Sequence, residues 1–109
     1  MRLKEGVIMA GLHPVMRHPL REAERVWMGE GRAEGVTVTS ALDGEHSAAS
    51  WHYYGLALDF RTHYFNDSQI ALVADELTRL LPAFDVVIKP DHIHVEIGNT
   101  LAKELGVFY

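Results

Sequence analysis

Two histidines and a glutamate alternate with aliphatic residues near the end of the chain. In the segment His92–Ile97, the two-residue period of a β-strand places His92, His94 and Glu96 on one face. The three aliphatic residues between and after them fall on the other face, which must be the core side. The sequence therefore predicts two imidazoles and a carboxylate turned toward a cleft or solvent.

A second half-buried strand, over residues 56–61, places Asp59 on the face opposite its large apolar side chains. His52 precedes it by seven residues, at a loop-to-strand junction where a turn of chain can bring the imidazole back over Asp59. Three protein ligands with one open position are typical of a catalytic zinc site. We therefore expect His52, Asp59 and His94 to hold zinc, which lowers the pKa of bound water toward about 7.

Neighbouring residues supply groups that handle protons. Asp91 lies three residues before His94, on the turn that leads into its strand, and is the expected general base. His92 lies on the metal-facing side and is expected to hold a proton and to stabilise an oxyanion. Glu96 shares that face and is the alternative base, because spacing alone does not choose between the two acids.

The same residues also allow a structural interpretation. A His-x-His pair on a strand is typical of ordinary surface hydrogen bonding, and a histidine seven residues before an aspartate is a weaker metal signature still. Both halves of the pattern nevertheless fall independently on the polar face of their strands. This joint pattern favours a metal site.

Composition excludes several other classes of site. The 109 residues include seven histidines and no cysteine, and the formal charge is −5. Without cysteine there is no disulfide scaffold, thiolate zinc site or cysteine nucleophile, so nitrogen and oxygen must hold any zinc. The acidic balance argues against binding to nucleic acid or anionic membranes. No apolar run approaches the roughly 20 residues of a membrane span.

The remaining pattern predicts an α+β fold, in which helices cover one face of a small antiparallel sheet. We expect one domain over residues 1–109, a monomer, made in the cytoplasm because its N-terminus does not resemble a signal peptide. Helices are expected from Pro19 to Gly29 and from the Asn66 cap to Pro82. The other expected elements are strands over 36–40, 56–61, 84–88 and 92–97, a loop over 41–51 and a short helix over 101–105.

Two motifs carry a resemblance to a known family. The segment Ser50–Asp59 fits the pattern S-x-H-x-x-G-x-A-x-D, and Asp91–His94 fits D/E-x-x-H combined with H-x-H. Together they resemble the D-Ala-D-Ala carboxypeptidase and L-alanyl-D-glutamate endopeptidase family of zinc peptidases, which shares its fold with the Hedgehog signalling domain. The similarity spans residues 37–96, more than half of the chain.

The resemblance implies a role for each matching residue. His52, Asp59 and His94 correspond to the family's zinc ligands, Asp91 to its catalytic base, and His92 to a histidine that assists. The implied substrate is the stem peptide of peptidoglycan. The stretches Thr39–Ser47 and Phe84–Ile88 are similar to short members encoded by tailed phages, which serve as endolysins or wall-processing enzymes and depend on a holin to reach the wall.

One position departs from the family pattern. Many relatives carry an arginine soon after the Thr-Ser step, where it stabilises the tetrahedral intermediate, whereas this chain has Ala41, Leu42 and Asp43 there. Arg61 or His46 is expected to take that role, and with Ser50 they are the expected substrate contacts. Two alternatives remain: a Hedgehog-like module that binds zinc without catalysis, and a small acidic binding domain without metal.

Overall fold

A computed structural model describes residues 1–43 and 50–107. Within these residues there are three helices and five strands, with two short 3₁₀ turns, Pro14–Met16 and Trp51–Tyr54. In chain order the elements are β1 (Arg2–Leu3), α1 (Arg17–Gly29), β2 (Thr37–Ser40), β3 (Ala57–Arg61), α2 (Asp67–Leu80), β4 (Phe84–Ile88), β5 (His92–Ile97) and α3 (Asn99–Glu104).

The strands form a single sheet in the order β1-β2-β3-β5-β4. All neighbouring pairs are antiparallel except β1 and β2, which run parallel. The expected α+β class is therefore confirmed. β3 and β5 lie side by side at the centre, so the two strands with the predicted ligands are direct neighbours, and β4 forms one edge of the sheet.

The core lies between one face of the sheet and the helices. The core-facing residues of the two central strands are fully buried, as the alternation in β5 requires, and they pack with apolar residues of α1 and α2. These core-facing residues are Leu58, Phe60, Ile93 and Val95. Trp27 of α1 contacts Phe60 of β3 through its ring and donates a hydrogen bond of 3.0 Å from its indole nitrogen to the Arg61 carbonyl. This bond ties the helix layer to the strand that carries Asp59.

The second predicted helix is confirmed together with its start signal. The Asn66 side-chain oxygen accepts a hydrogen bond from the backbone N–H of Gln69, and the Gln69 side-chain oxygen accepts one from the backbone N–H of Asn66. This reciprocal capping box satisfies two amides that the first helical turn leaves without partners. Helix α2 ends at Leu80, just before Pro82.

The predicted start of the first helix is wrong. Helix α1 begins at Arg17, and the 3₁₀ turn Pro14–Met16 leads directly into it from a His13 cap. Pro19 therefore lies within the first turn, where a missing N–H costs no helical hydrogen bond, so the chain enters the helix before the proline. Helix α3 likewise begins at Asn99, two residues before the expected start.

Two further differences are findings of the structure. The short parallel strand β1 was not predicted, and the 3₁₀ turn Trp51–Tyr54 begins within the expected loop 41–51. No helix in the described part of the chain has the length and apolar character needed to cross a bilayer.

Candidate metal centre

Three side chains from three elements converge on the side of the sheet away from the helices. Asp59 on β3 and His94 on β5 are register partners across the antiparallel pair. His52 extends toward them from the 3₁₀ turn that precedes β3. The Asp59 Oδ1 atom lies 2.8 Å from His94 Nδ1 and 3.2 Å from His52 Nε2, and the two nitrogens are 3.3 Å apart. These three side chains can bind a metal ion.

The turn that carries His52 is shaped by the residues at its two ends. Ser50 caps the turn, because its hydroxyl accepts a hydrogen bond of 3.2 Å from the His52 amide. Gly55 ends the turn with a positive φ of 70°. A Cβ atom at Gly55 would lie 2.4 Å from the Gly11 carbonyl oxygen, so both the backbone conformation and the close approach require glycine.

A backbone carbonyl fixes the orientation of His52. Its Nδ1 lies 2.6 Å from the Ala41 carbonyl oxygen. A carbonyl can only accept, so Nδ1 carries the proton and Nε2 presents its lone pair to Asp59 and His94. The Asp43 carboxylate in turn accepts hydrogen bonds of 2.9 Å from the Ala41 and Ile8 amides, which holds the Ala41 peptide in place.

A carboxylate fixes the orientation of His94 in the same way. The Nε2 atom of His94 lies 2.7 Å from Glu96 Oε1, two residues farther along β5. Glu96 therefore accepts the Nε2 proton, and Nδ1 is turned toward Asp59. Metal-binding histidines characteristically donate their second ring N–H to a carbonyl or a carboxylate, and both kinds of partner occur here.

Two lone pairs and a carboxylate oxygen thus point at one another, and such a group needs a cation. Burial alone would raise the pKa of Asp59, but the adjacent imidazoles of His52 and His94 outweigh burial and hold that pKa well below its usual range. Burial would also lower the pKa of His94, but hydrogen bonds to Asp59 and Glu96 raise it overall. A proton on His94 would give Asp59 a hydrogen-bond donor but would leave the lone pair of His52 Nε2 without a cation. A metal ion can accept electron pairs from all three atoms.

The spacing of the three atoms fits a small tetrahedral metal ion. Ligands at about 2.0–2.1 Å from a tetrahedral zinc lie about 3.3 Å from one another. Two of the three separations, 3.2 and 3.3 Å, match this value, and the third is shorter at 2.8 Å. Two imidazole nitrogens with one carboxylate favour a transition metal or zinc over magnesium or calcium, which prefer oxygen ligands alone.

Asp91 and His92 form a second hydrogen-bonded pair beside the ligands. Asp91 Oδ1 lies 2.6 Å from His92 Nδ1, and this hydrogen bond lowers the pKa of Asp91. His92 Nε2 lies 3.6 Å from Asp59 Oδ2, so His92 stands between Asp91 and a candidate ligand. The Asp91 side chain is 82% exposed, whereas that of Asp59 is 10% exposed.

A polar cleft of about 300 Å³ opens beside this group. Its walls combine Asp59, Asp91 and His92 with two cationic side chains, Lys4 and Arg61. The other lining residues are Thr39, Ser40 and His63. A larger cleft of about 380 Å³ lies between α1 and α2, on the other side of the sheet, and no histidine lines it.

The predicted site residues divide into four groups. The expected ligands His52, Asp59 and His94 are brought together, and Asp91, His92 and Arg61 line the adjoining cleft. Ser50 caps the turn of His52, and its contact with substrate stays a prediction. His46 lies outside the described residues.

Sequence reasoning missed two contributors, Asp43 and Lys4, and gave a third, Glu96, the role of an alternative base. Asp43 supports the carbonyl that orients His52, Glu96 orients His94, and Lys4 reaches the cleft from the N-terminal segment. The His-x-Glu spacing on β5 could have indicated Glu96 as an orienting group, since alternate residues of a strand share a face. Nothing in the local sequence signals Asp43 or Lys4, because both depend on how distant segments meet.

No protein-family profile matches this chain, and no curated protein is significantly similar to it.

Proposed function

We propose that this protein is a zinc-dependent peptidase that hydrolyses peptide bonds in the stem peptides of peptidoglycan, as a phage endolysin or wall-processing enzyme reaching the wall with a holin. One observation carries the proposal: three potential ligand atoms converge beside an open polar cleft. The second ring nitrogen of each histidine is already hydrogen-bonded to a group that fixes the orientation of the ring. The motif resemblance of Ser50–Asp59 and Asp91–His94 to zinc peptidases points the same way.

His52, Asp59 and His94 would hold the zinc ion. When bound, zinc supplies a Lewis acid that polarises a carbonyl and lowers the pKa of water toward about 7. Three protein ligands, two of them nitrogens and one an oxygen, are the kind of donor set that hydrolytic zinc sites use. Zinc itself belongs to the proposal, because the ligand set is also compatible with other transition metals.

The chain's own residues would handle the protons. Asp91 would accept a proton from the attacking water and later protonate the leaving amine. His92 holds the Asp91 carboxylate by a 2.6 Å hydrogen bond and would stabilise the developing oxyanion. Glu96, the alternative base, is engaged with His94 Nε2, which favours an orienting role for it.

The cationic side of the cleft suits an anionic substrate. Lys4 and Arg61 line the cleft together with Asp59, and stem peptides carry free carboxylates. Arg61 lies two residues after Asp59 on the same strand face, so its guanidinium can take the role of the arginine absent at residues 41–43. The two peptide bonds that the resemblance suggests, D-Ala-D-Ala and L-Ala-D-Glu, remain alternatives.

The competing proposal is a Hedgehog-like module that binds zinc without catalysis. Two observations favour it. The Asp91 side chain is 82% exposed, so the proposed base is not shielded from bulk water as catalytic groups in closed active sites are, and the family arginine is missing. The two proposals share the metal site and differ only in hydrolysis.

Digestion of purified muropeptides, with the products identified by mass spectrometry, separates the two. The peptidase proposal predicts cleavage by the zinc-loaded protein and loss of cleavage in Asp91→Ala, with zinc binding retained. Asp75→Ala, which removes an exposed acid on α2, is the matched control and should cleave normally. Absence of cleavage by the zinc-loaded wild type would favour the non-catalytic module, and cleavage by Asp91→Ala would exclude Asp91 as the base.

A further inference from the structure

Strand β4 leaves one side of its backbone open. Among the described residues it pairs with β5 on one side and with no strand on the other. The Lys89 amide donates to the His92 carbonyl, and the Gly98 amide donates to the Ala83 carbonyl. The backbone N–H and C=O groups of the odd-numbered residues of β4 therefore point toward β5. Those of Val86 and Ile88 point away from β5, toward the open edge.

The ends of this open edge are closed within the chain. The outward amide of Phe84 donates to the Leu81 carbonyl, and Pro90 has no N–H. The free edge is thus a short segment centred on Val87. Its side chains are also uncovered, since Val87 is 39% and Ile88 51% exposed. Open strand edges of this kind are templates for pairing with another strand.

The segment Asp85–Lys89 is complementary to a reversed copy of itself. An antiparallel pairing centred on Val87 places Val86 opposite Ile88 of the second copy and Asp85 opposite its Lys89. Each of these pairs forms twice. Val86 and Ile88 are the residues with outward backbone groups, so the same register forms four hydrogen bonds between the copies. The opposite charges then face each other at non-hydrogen-bonded positions, where side chains are closest.

We propose that β4 pairs with β4 of a second copy of this chain, in the register centred on Val87, and joins two sheets into one of ten strands. The charge pattern selects this occupant and this register, because a shift of the centre by one residue brings Asp85 or Lys89 opposite an aliphatic residue. The five-residue contact is small, so the dimer is weak and forms at high local concentration. This departs from the monomer expected from sequence.

The two-fold axis of such a pair stands perpendicular to the sheet, because paired residues point their side chains to the same face. Val87 is the register partner of His94, so it lies on the face that carries the metal ligands. The dimer therefore presents both clefts on one face and both helix layers on the other. One consequence rests on the proposed function: two sites on one face would engage the same polymer with higher avidity.

Charge exchange at the two ends of the segment tests the dimer. Sedimentation of the wild-type protein up to about 1 mM should show a monomer–dimer equilibrium, which weakens at high salt. Asp85→Lys and Lys89→Glu should each be monomeric, because each places like charges opposite each other twice. An equimolar mixture of the two variants should form a heterodimer, since the introduced lysine of one chain then faces the introduced glutamate of the other.

The mixture also shows that both variants are folded. Glu104→Lys is the matched control, because it reverses the charge of an exposed residue on α3, and it should dimerise like the wild type. A wild-type protein that stays monomeric over the whole range would overturn the proposal. So would single variants that dimerise unchanged, or a mixture that fails to associate. None of these outcomes depends on zinc or on peptide hydrolysis, so the proposed function is tested separately.

Discussion

Asp59 and His94 are register partners on neighbouring antiparallel strands, and their ligand atoms lie 2.8 Å apart. The sheet itself therefore sets the separation of two of the three candidate ligands, and His52 supplies the third from a capped turn. A site built on paired strands is rigid, because a ligand can move only if the backbone ladder shifts with it.

Loss of one ligand should remove the stabilisation that zinc provides. We expect zinc to raise the Tm of the wild type, because an ion that binds only the folded state stabilises it. His52→Ala should abolish this rise. His63→Ala, which removes an exposed histidine at the cleft wall, should retain it. Differential scanning fluorimetry with and without zinc measures the effect, and an equal rise in all three proteins would place the metal elsewhere.

Glu96→Gln should weaken zinc binding without removing a ligand. The substitution keeps the shape of the side chain but replaces the charged acceptor of the His94 Nε2 proton with a neutral one. Loss of such an orienting partner typically costs about 10- to 100-fold in metal affinity. Competition titration with a chelating dye provides the measurement. Glu104→Gln serves as control, and wild-type affinity in Glu96→Gln would refute the orienting role.

Gly55→Ala should destabilise the protein more than Gly106→Ala does. Both glycines have similar positive φ values, 70° and 73°, but a Cβ at Gly106 meets nothing within 4 Å. The Gly106 variant therefore reports backbone strain alone, about 1–2 kcal/mol. The Gly55 variant adds the clash with the Gly11 carbonyl, about 1–3 kcal/mol more. Urea denaturation gives both free energies of unfolding, and equal values would mean that the turn relaxes freely.

Arg61→Ala should impair substrate binding and leave zinc binding intact. Arg61 lines the cleft but is not a candidate metal ligand, so under the proposed function the KM for muropeptides should rise by about tenfold or more while zinc affinity is unchanged. Arg25→Ala removes an arginine from the cleft between α1 and α2 and should behave as wild type. Unchanged kinetics in Arg61→Ala would show that another residue recognises the anionic group.

Much of the candidate site was predictable because strand parity is a local property. The alternation in β5 placed His94 correctly, and the alternation in β3 did the same for Asp59. The orienting contacts were not predictable, since the bond from His52 to the Ala41 carbonyl joins residues that are eleven positions apart and share no element. The Asn66 cap of α2 was predictable for the same local reason, whereas the reciprocal bond from Gln69 is a finding of the structure.

Elements that depend on distant partners escaped prediction. Strand β1 has two residues and exists because Arg2 and Leu3 meet β2, which no local pattern indicates. The start of α1 was misplaced because the rule against helix before proline is a preference, and Pro19 within the first turn costs no hydrogen bond. The complementarity of β4 is visible only once the register shows which amides point outward.

The central claim is that His52, Asp59 and His94 form a single zinc site, and native mass spectrometry of the metal-free protein titrated with zinc tests it most directly. We predict one zinc ion per chain in the wild type and none retained in His94→Ala at the same zinc concentration. Failure of the wild type to take up zinc, or retention of one zinc ion in His94→Ala, would contradict the claim.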